Sequence, residues 1–343
     1  MPFGLNNAPS TFQNMMNNVF LVHICCGNTD TYINDLILGT LPHKGQDNDK
    51  YHIEVMKTIL QTFRENKLFL KLEKCVFSQT YIKYLSYVVS KDHVMMDPTK
   101  VSAILDWPIP KDLKQTCSFL GFLNYYRQFI HEFTQKAQPL NDLTKKDVPF
   151  VWGEAQEKAF EELKLSVTSA PVLILPDLEK PFTVETNTSL IGYGAILSQE
   201  FEGKLHPVAF LSYSFTETEW NYSTHNRELL AVLNSFKHWH AYLYGSPHTI
   251  TVLSDHKALK FFRSAHTLQR HHARWKVKLN SYNYVIKYCP GTASGQPDTL
   301  SQQANFNNGK EDNKEEVIIP KEYFINSLED DSIISLTEAI SHT

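Results

Sequence analysis

The run Phe182-Thr-Val-Glu-Thr-Asn-Thr-Ser-Leu-Ile-Gly-Tyr-Gly-Ala-Ile-Leu-Ser-Gln199 constrains the fold more than any other stretch. Phe182, Val184 and Thr186 alternate with Thr183 and Glu185, the period-two pattern of a half-buried strand. Asn187-Thr-Ser189 is turn chemistry, and Gly192 and Gly194 interrupt a second apolar strand that ends near Gln199. Beyond it the pattern reads strand (205–212), long helix (about 223–242), strand (249–253), basic helices, strand (282–288) and a short helix. Strands followed by alternating helix and strand predict a mixed sheet with helices on its faces, an α/β domain.

Upstream, residues 14–20 read as a helix, and Tyr32-Ile-Asn-Asp-Leu-Ile-Leu38 reads as a short strand interrupted by an Asn-Asp pair. Its approach, Gly27-Asn-Thr-Asp-Thr31, is polar where a buried strand should be apolar. Helical periodicity marks 49–66, strand-like runs fill 68–89, and short helices separated by prolines occupy 97–167. Pro171 and Pro176 mark a linker. After Ser301 the chain loses periodicity and gains acids, the signature of a tail or linker. At 343 residues with 42% hydrophobic content, two or three packed domains are expected. Five scattered cysteines without CxxC spacing argue against a disulfide framework or zinc site and for a reduced intracellular compartment, cytoplasm and nucleus alike. No leader is evident and residues 19–26 are too short to span a membrane, so no membrane partner is expected.

Four positions fall where they would converge at one end of the sheet. They are Asn187 at the end of the first strand, Glu228 in the long helix, Asp255 after the fourth strand and Asp298 opening the last helix. Glu228 borders the stripe Leu229, Val232, Leu233 and Phe236, at the rim of the buried face. Such a cluster suits hydrolysis of a phosphodiester by two Mg²⁺ ions about 3.5–4 Å apart, which clamp the attacking and leaving oxygens. A second feature is basic. Lys257, Lys260, Arg263, Arg270, Arg274, Lys276 and Lys278 occur without an acid, interleaved with Phe261, Phe262, His271, His272 and Trp275. That composition suits a surface tracking a nucleic-acid backbone. A solvated helical face with Trp275 in the core is the plainer alternative.

Residues 171–302 resemble the ribonuclease H domain of gypsy-type LTR retrotransposon Pol polyproteins. The resemblance rests on the run to Gln199, Lys204-Leu-His-Pro-Val-Ala-Phe210, Asn221-Tyr-Ser-Thr, Glu228-Leu-Leu-Ala231, Asp255-His-Lys257 and Asp298-Thr-Leu-Ser301. Residues 1–170 resemble the second half of the same polyprotein's reverse transcriptase. Phe3-Gly-Leu-Asn-Asn-Ala-Pro9 is similar to its nucleotide-pocket motif, and Tyr32-Ile-Asn-Asp35 to its Tyr-x-Asp-Asp turn. Tyr84-Leu-Ser-Tyr87 is similar to its primer grip, and Ser118 to Arg127 to its thumb and connection region. The resemblance implies a partial palm (1–95, without fingers), thumb and connection (96–170), a ribonuclease H-like domain with a five-stranded mixed sheet (171–303), and an acidic linker towards an integrase (304–343). It implies RNA-directed DNA synthesis and Mg²⁺-dependent cleavage of RNA in RNA–DNA hybrids, Mn²⁺ being able to replace Mg²⁺. Asn34 and Asp35 would stand at the polymerase's catalytic positions, Asp35 as a metal ligand. Phe3, Gly4 and Tyr32 would contact template-primer, and Lys257, Arg263, Arg270, Arg274, Trp275 and Lys276 would contact the hybrid.

The family carries Asp where this chain has Asn34 and Asn187. Asparagine keeps the shape but loses the charge and second anionic oxygen that a Mg²⁺ ligand at about 2.0–2.1 Å supplies. The family's other polymerase Asp lies upstream of the nucleotide-pocket motif, and Asp30 is a poor substitute for it. Ser86, Pro297, Thr299 and Gln302 are further departures. The expectation is a dead polymerase and a weak or dead ribonuclease H. The alternatives are that each Asn merely completes a turn, or that the chain is a non-catalytic nucleic-acid binding module.

Overall fold

The computed structural model describes residues 4–40, 47–256, 259 and 270–289. They divide into two compact units between Lys91 and Asp92.

In the first unit, α1 (Ala8–Val19) has Pro9 in its first turn, where its missing N–H would be unpaired anyway. Next come α2 (Leu21–Cys25), β1 (Thr29–Tyr32), β2 (Asp35–Leu38) and α3 (Asn48–Glu65), the last capped by the Asp47 carboxylate on the Asp49 N–H. Met16 and Phe20 bury against Val55, Ile59 and Phe63, with the Phe20 and Phe63 rings 4.8 Å apart. The strand expected over 32–38 is instead an antiparallel hairpin that turns at Ile33-Asn34. The polar approach is its first arm. Thr29 and Thr31 are buried while Asp30 and Tyr32 face out, so alternation rather than polarity carries the strand signal. A second hairpin, β3 (Tyr81–Tyr84) and β4 (Tyr87–Ser90), turns at Leu85-Ser86, both at positive φ (49° and 63°).

The second unit begins with β5 (His93–Met96), which pairs with the later β6 (Leu173–Ile174). Four helices lie between: α4 (Pro98–Leu105), α5 (Leu113–Tyr125), α6 (Phe133–Asp142) and α7 (Glu154–Thr168). Asp97 and Asp112 cap α4 and α5 through backbone N–H groups. Phe119, Leu123, Phe160 and Leu163 form the helical core.

Then β7 (Phe182–Thr188), β8 (Gly192–Phe201) and β9 (Lys204–Ser214) make an antiparallel meander. The helices α8 (Glu217–Trp220), α9 (Thr224–His238) and α10 (His240–Leu243) lead to β10 (Ile250–Ser254), α11 (Arg270–Leu279) and β11 (Tyr284–Tyr288). The sheet is mixed and five-stranded, in the order β11-β10-β7-β8-β9, with β10 parallel to both neighbours. Leu229, Val232, Leu233 and Phe236 of α9 bury on Phe182, Val184, Ile250 and Val252. The helix expected to run to 242 breaks at Trp239, whose φ of −96° and ψ of 27° take the backbone off the helix while its ring is buried. Pro207, which has no N–H to give a ladder, sits on edge strand β9 opposite Ser198, beside the irregularity at Leu197/Ser198.

Candidate active site

Glu228 stands in the second turn of α9 and goes down with the apolar face: 2% of it is exposed. It is in the core rather than at the rim, because position 228 precedes Val232 by four residues and shares its side of the helix. One of its oxygens accepts a hydrogen bond from the Thr188 hydroxyl at the end of β7. Its Oε2 is buried and has no hydrogen-bond partner among the described residues. Burial pushes the Glu228 pKa up to about 8; the nearby charge of Asp255 adds to the rise, and Thr188 and Arg227 oppose it. Glu228 therefore holds a proton at neutral pH. Arg227 is buried beside it, donating to the Ser189 carbonyl at 3.4 Å.

Asp255 directly follows β10 and is exposed. The parallel register sets Thr183 against Thr251 and Glu185 against Leu253; Asn187 and Asp255 each lie two residues beyond the last of these pairs. Asn187 pairs with Gly194 through the backbone and is exposed; its side chain makes no hydrogen bond among the described residues. Alternation along β7 turns Thr188 towards α9 and Asn187 away from it. Asp298 lies outside the described residues. Carboxylate oxygens, one of them a buried orphan, are the donor type that a hard cation takes. Among the described residues no three His, Cys, Asp or Glu side chains group to hold a metal, and Asn187 offers only a neutral amide oxygen.

In the first unit, the Ile33-Asn34 turn is held from α1. Gln13 Oε1 accepts from the Ile33 N–H at 2.5 Å, and its Nε2 donates to the Thr31 carbonyl at 2.9 Å and to Asn17 Oδ1 at 2.7 Å. Ile33 needs the support: a β-branched residue at φ 52° is sterically unfavourable. Asn34 Nδ2 donates to Asp35 Oδ1 at 3.2 Å. Asp30, Tyr32 and Asp35 share one face of the hairpin. Burial, then the charges of Asp30 and Asp35, push the Tyr84 pKa up to about 12. Gly4 is exposed; Phe3 lies outside the described residues.

Of the basic stretch, Lys257 and Arg263 lie outside the described residues, and Arg270 opens α11. Arg274 is exposed and Lys276 half-buried. Trp275 packs on the core, its ring 6.0 Å from Tyr222 and 5.9 Å from His272. Sequence reasoning missed Thr188 and Gln13. The alternation along β7 could have flagged Thr188; nothing local marks Gln13, whose partners lie 18 and 20 residues away.

Residues 1–89 match the family described as reverse transcriptase (RNA-dependent DNA polymerase), and 152–252 the RNase H-like domain found in reverse transcriptase. The retrovirus-related Pol polyprotein from transposon opus of Drosophila melanogaster is 35% identical over 315 residues, which cover 88% of this chain and 30% of that protein. The chain thus carries reverse transcriptase and RNase H-like domains, and its relatives are retrotransposon Pol polyproteins. A second such relative, the Tf2-3 polyprotein of Schizosaccharomyces pombe, is 31% identical over 345 residues, 98% of this chain and 24% of the polyprotein. The chain spans less than a third of the curated relatives it matches. The foamy viral protease-reverse transcriptase in complex with RNA/DNA hybrid shares its fold with a TM-score of 0.67 at 19% identity, over 87% of this chain and 39% of that one. The same enzyme's dRH form in complex with double-stranded DNA gives 0.70, over 87% and 51%. Among the described residues no helix is long and apolar enough to cross a membrane.

Proposed function

We propose that residues 171–303 form a ribonuclease H-like domain that binds RNA–DNA hybrid and cleaves its RNA strand only feebly. The observation that carries this reading is the make-up of the three described acid-site positions: Asn187 offers a neutral amide, the Glu228 carboxyl is buried with its pKa pushed up, and Asp255 lies exposed after β10. Glu228 and Asp255, with Asp298, would hold Mg²⁺, which when bound supplies Lewis acidity at the scissile phosphate. Before it can serve as a ligand, Glu228 must release the proton held on its buried carboxyl. Losing one preorganised group at a reacting centre costs about 10²–10³ in rate, and a missing anionic ligand at least that. Binding survives the loss because it rests on the exposed cations, Arg274 and Lys278 among them. The motif order supports a gypsy-type element, and the nucleic-acid-bound foamy viral neighbours support a nucleic-acid partner.

The test is hybrid binding and cleavage by the purified chain. Binding should weaken steeply with salt, while cleavage in Mg²⁺ stays near background and rises slightly in Mn²⁺, which accepts the same oxygen ligands. Robust Mg²⁺ cleavage, or no binding at low salt by the folded chain, refutes the reading. The same logic makes residues 1–95 inactive as a polymerase, since Asn34 stands at a catalytic carboxylate position. Primer extension on an RNA template should not exceed a tag-only control.

A further inference from the structure

The cleft between α5, α6 and edge strand β9 holds a positive charge that no acid answers. Arg127, just after α5, is half-buried; its guanidinium donates to the Ser212 carbonyl and to Asn124 Oδ1 at 3.3 Å. It lies 5.7 Å from the Phe133 ring centroid and 5.9 Å from that of Tyr213. Two hydrogen bonds leave part of its five-donor capacity unused. No carboxylate pairs with it among the described residues, although a charge withdrawn from water normally finds a partner. Its field reaches His238, whose pKa is held below the ordinary value by burial first and by Arg127 second.

The cleft has a volume of about 450 Å³, inside the range of small-ligand sites (about 300–1,000 Å³). Its polar walls are Asn124, Thr134, Asn141 and Ser214, all able to donate hydrogen bonds, and no Asp or Glu lines it. The Asn141 side chain makes no hydrogen bond among the described residues. A fixed guanidinium, carboxamides and hydroxyls without a competing acid form a receptor for an oxyanion. We propose that this cleft binds the phosphate of a nucleotide or nucleic-acid strand, with Arg127 as its charge. The proposal does not rest on the acid site, which lies on other residues.

Calorimetry on the full chain at low salt, with inorganic phosphate, thymidine monophosphate and an oligo(dT) strand as probes, tests it. Phosphate should bind, compete with the tighter probe, and raise the His238 pKa followed by NMR. Preference for the monophosphate identifies a free nucleotide as the source, and preference for the strand a nucleic acid. Arg127→Gln should abolish binding of inorganic phosphate and of the monophosphate, and should remove from strand binding the part that phosphate competes away. Because Arg127 also ties α5 to β9, the double variant Asn141→Ala, Ser214→Ala, which removes only cleft-wall groups, should weaken binding about tenfold. Absence of phosphate binding by the folded chain, affinity unchanged in the double variant, or a His238 titration indifferent to phosphate overturns the proposal.

Discussion

Glu228 and Thr188 show what one buried carboxyl does to the chain around it. An acid whose folded pKa of about 8 exceeds its ordinary 4.5 keeps its proton in the folded state over the window where the unfolded chain has lost it. Its contribution is therefore largest in acid and falls as pH rises from 4.5 towards 8, by up to about 1.4 kcal/mol per pH unit, then levels off. Urea unfolding in chelator at pH 5.5, 7 and 8.5 should show the wild type losing stability relative to Glu228→Gln across that series. Parallel curves for the two proteins would mean that Glu228 is ionised in the folded state. The helix that carries Glu228 was readable from the pattern; the depth of Glu228, core rather than rim, and its raised pKa were not. Burial depends on the pairing of α9 with β7 and β10, and the Asp255 charge that adds to it comes from a strand 27 residues later.

At the level of elements, the β7–β8 hairpin separates what local pattern reveals from what only register reveals. Alternation from Phe182 to Thr186 announces the strand, and the same rule, applied to polar Thr29 and Thr31, would have found β1. The two glycines of β8 look alike in sequence and are not alike in the sheet. A Cβ on Gly192 would meet the Tyr213 carbonyl oxygen of β9 at 2.1 Å, whereas on Gly194 its nearest neighbour is Glu132 Cγ at 3.7 Å, an ordinary contact. Gly192→Ala should therefore destabilise the second unit by about 1–3 kcal/mol, the usual cost of overpacking, while Gly194→Ala stays near wild type. Thermal unfolding of the two variants side by side gives the comparison, and equal losses would place the β8–β9 register in error. Ser86 bears the mirror-image lesson: its φ of 63° is one that glycine adopts more readily, which no composition argument shows.

Across the whole molecule, the two compact units carry parallel asparagines: Asn34 on the β1–β2 turn and Asn187 near the end of β7. Both were visible in the sequence because the motifs around them are short and local. The geometry that gives them weight comes from long-range pairing: Gln13 pinning one turn, Thr188 and Asp255 framing the other site. If the missing carboxylate is what silences the ribonuclease H-like domain, returning it should be enough. The decisive measurement is the single-turnover rate of hybrid cleavage in Mg²⁺ for Asn187→Asp against the unmodified chain. The account predicts a gain of several hundredfold, about the 10²–10³ assigned to one preorganised group, with hybrid affinity changed little. An unmodified chain that already cleaves at the variant's rate, or a folded, hybrid-binding variant that gains nothing, would contradict it.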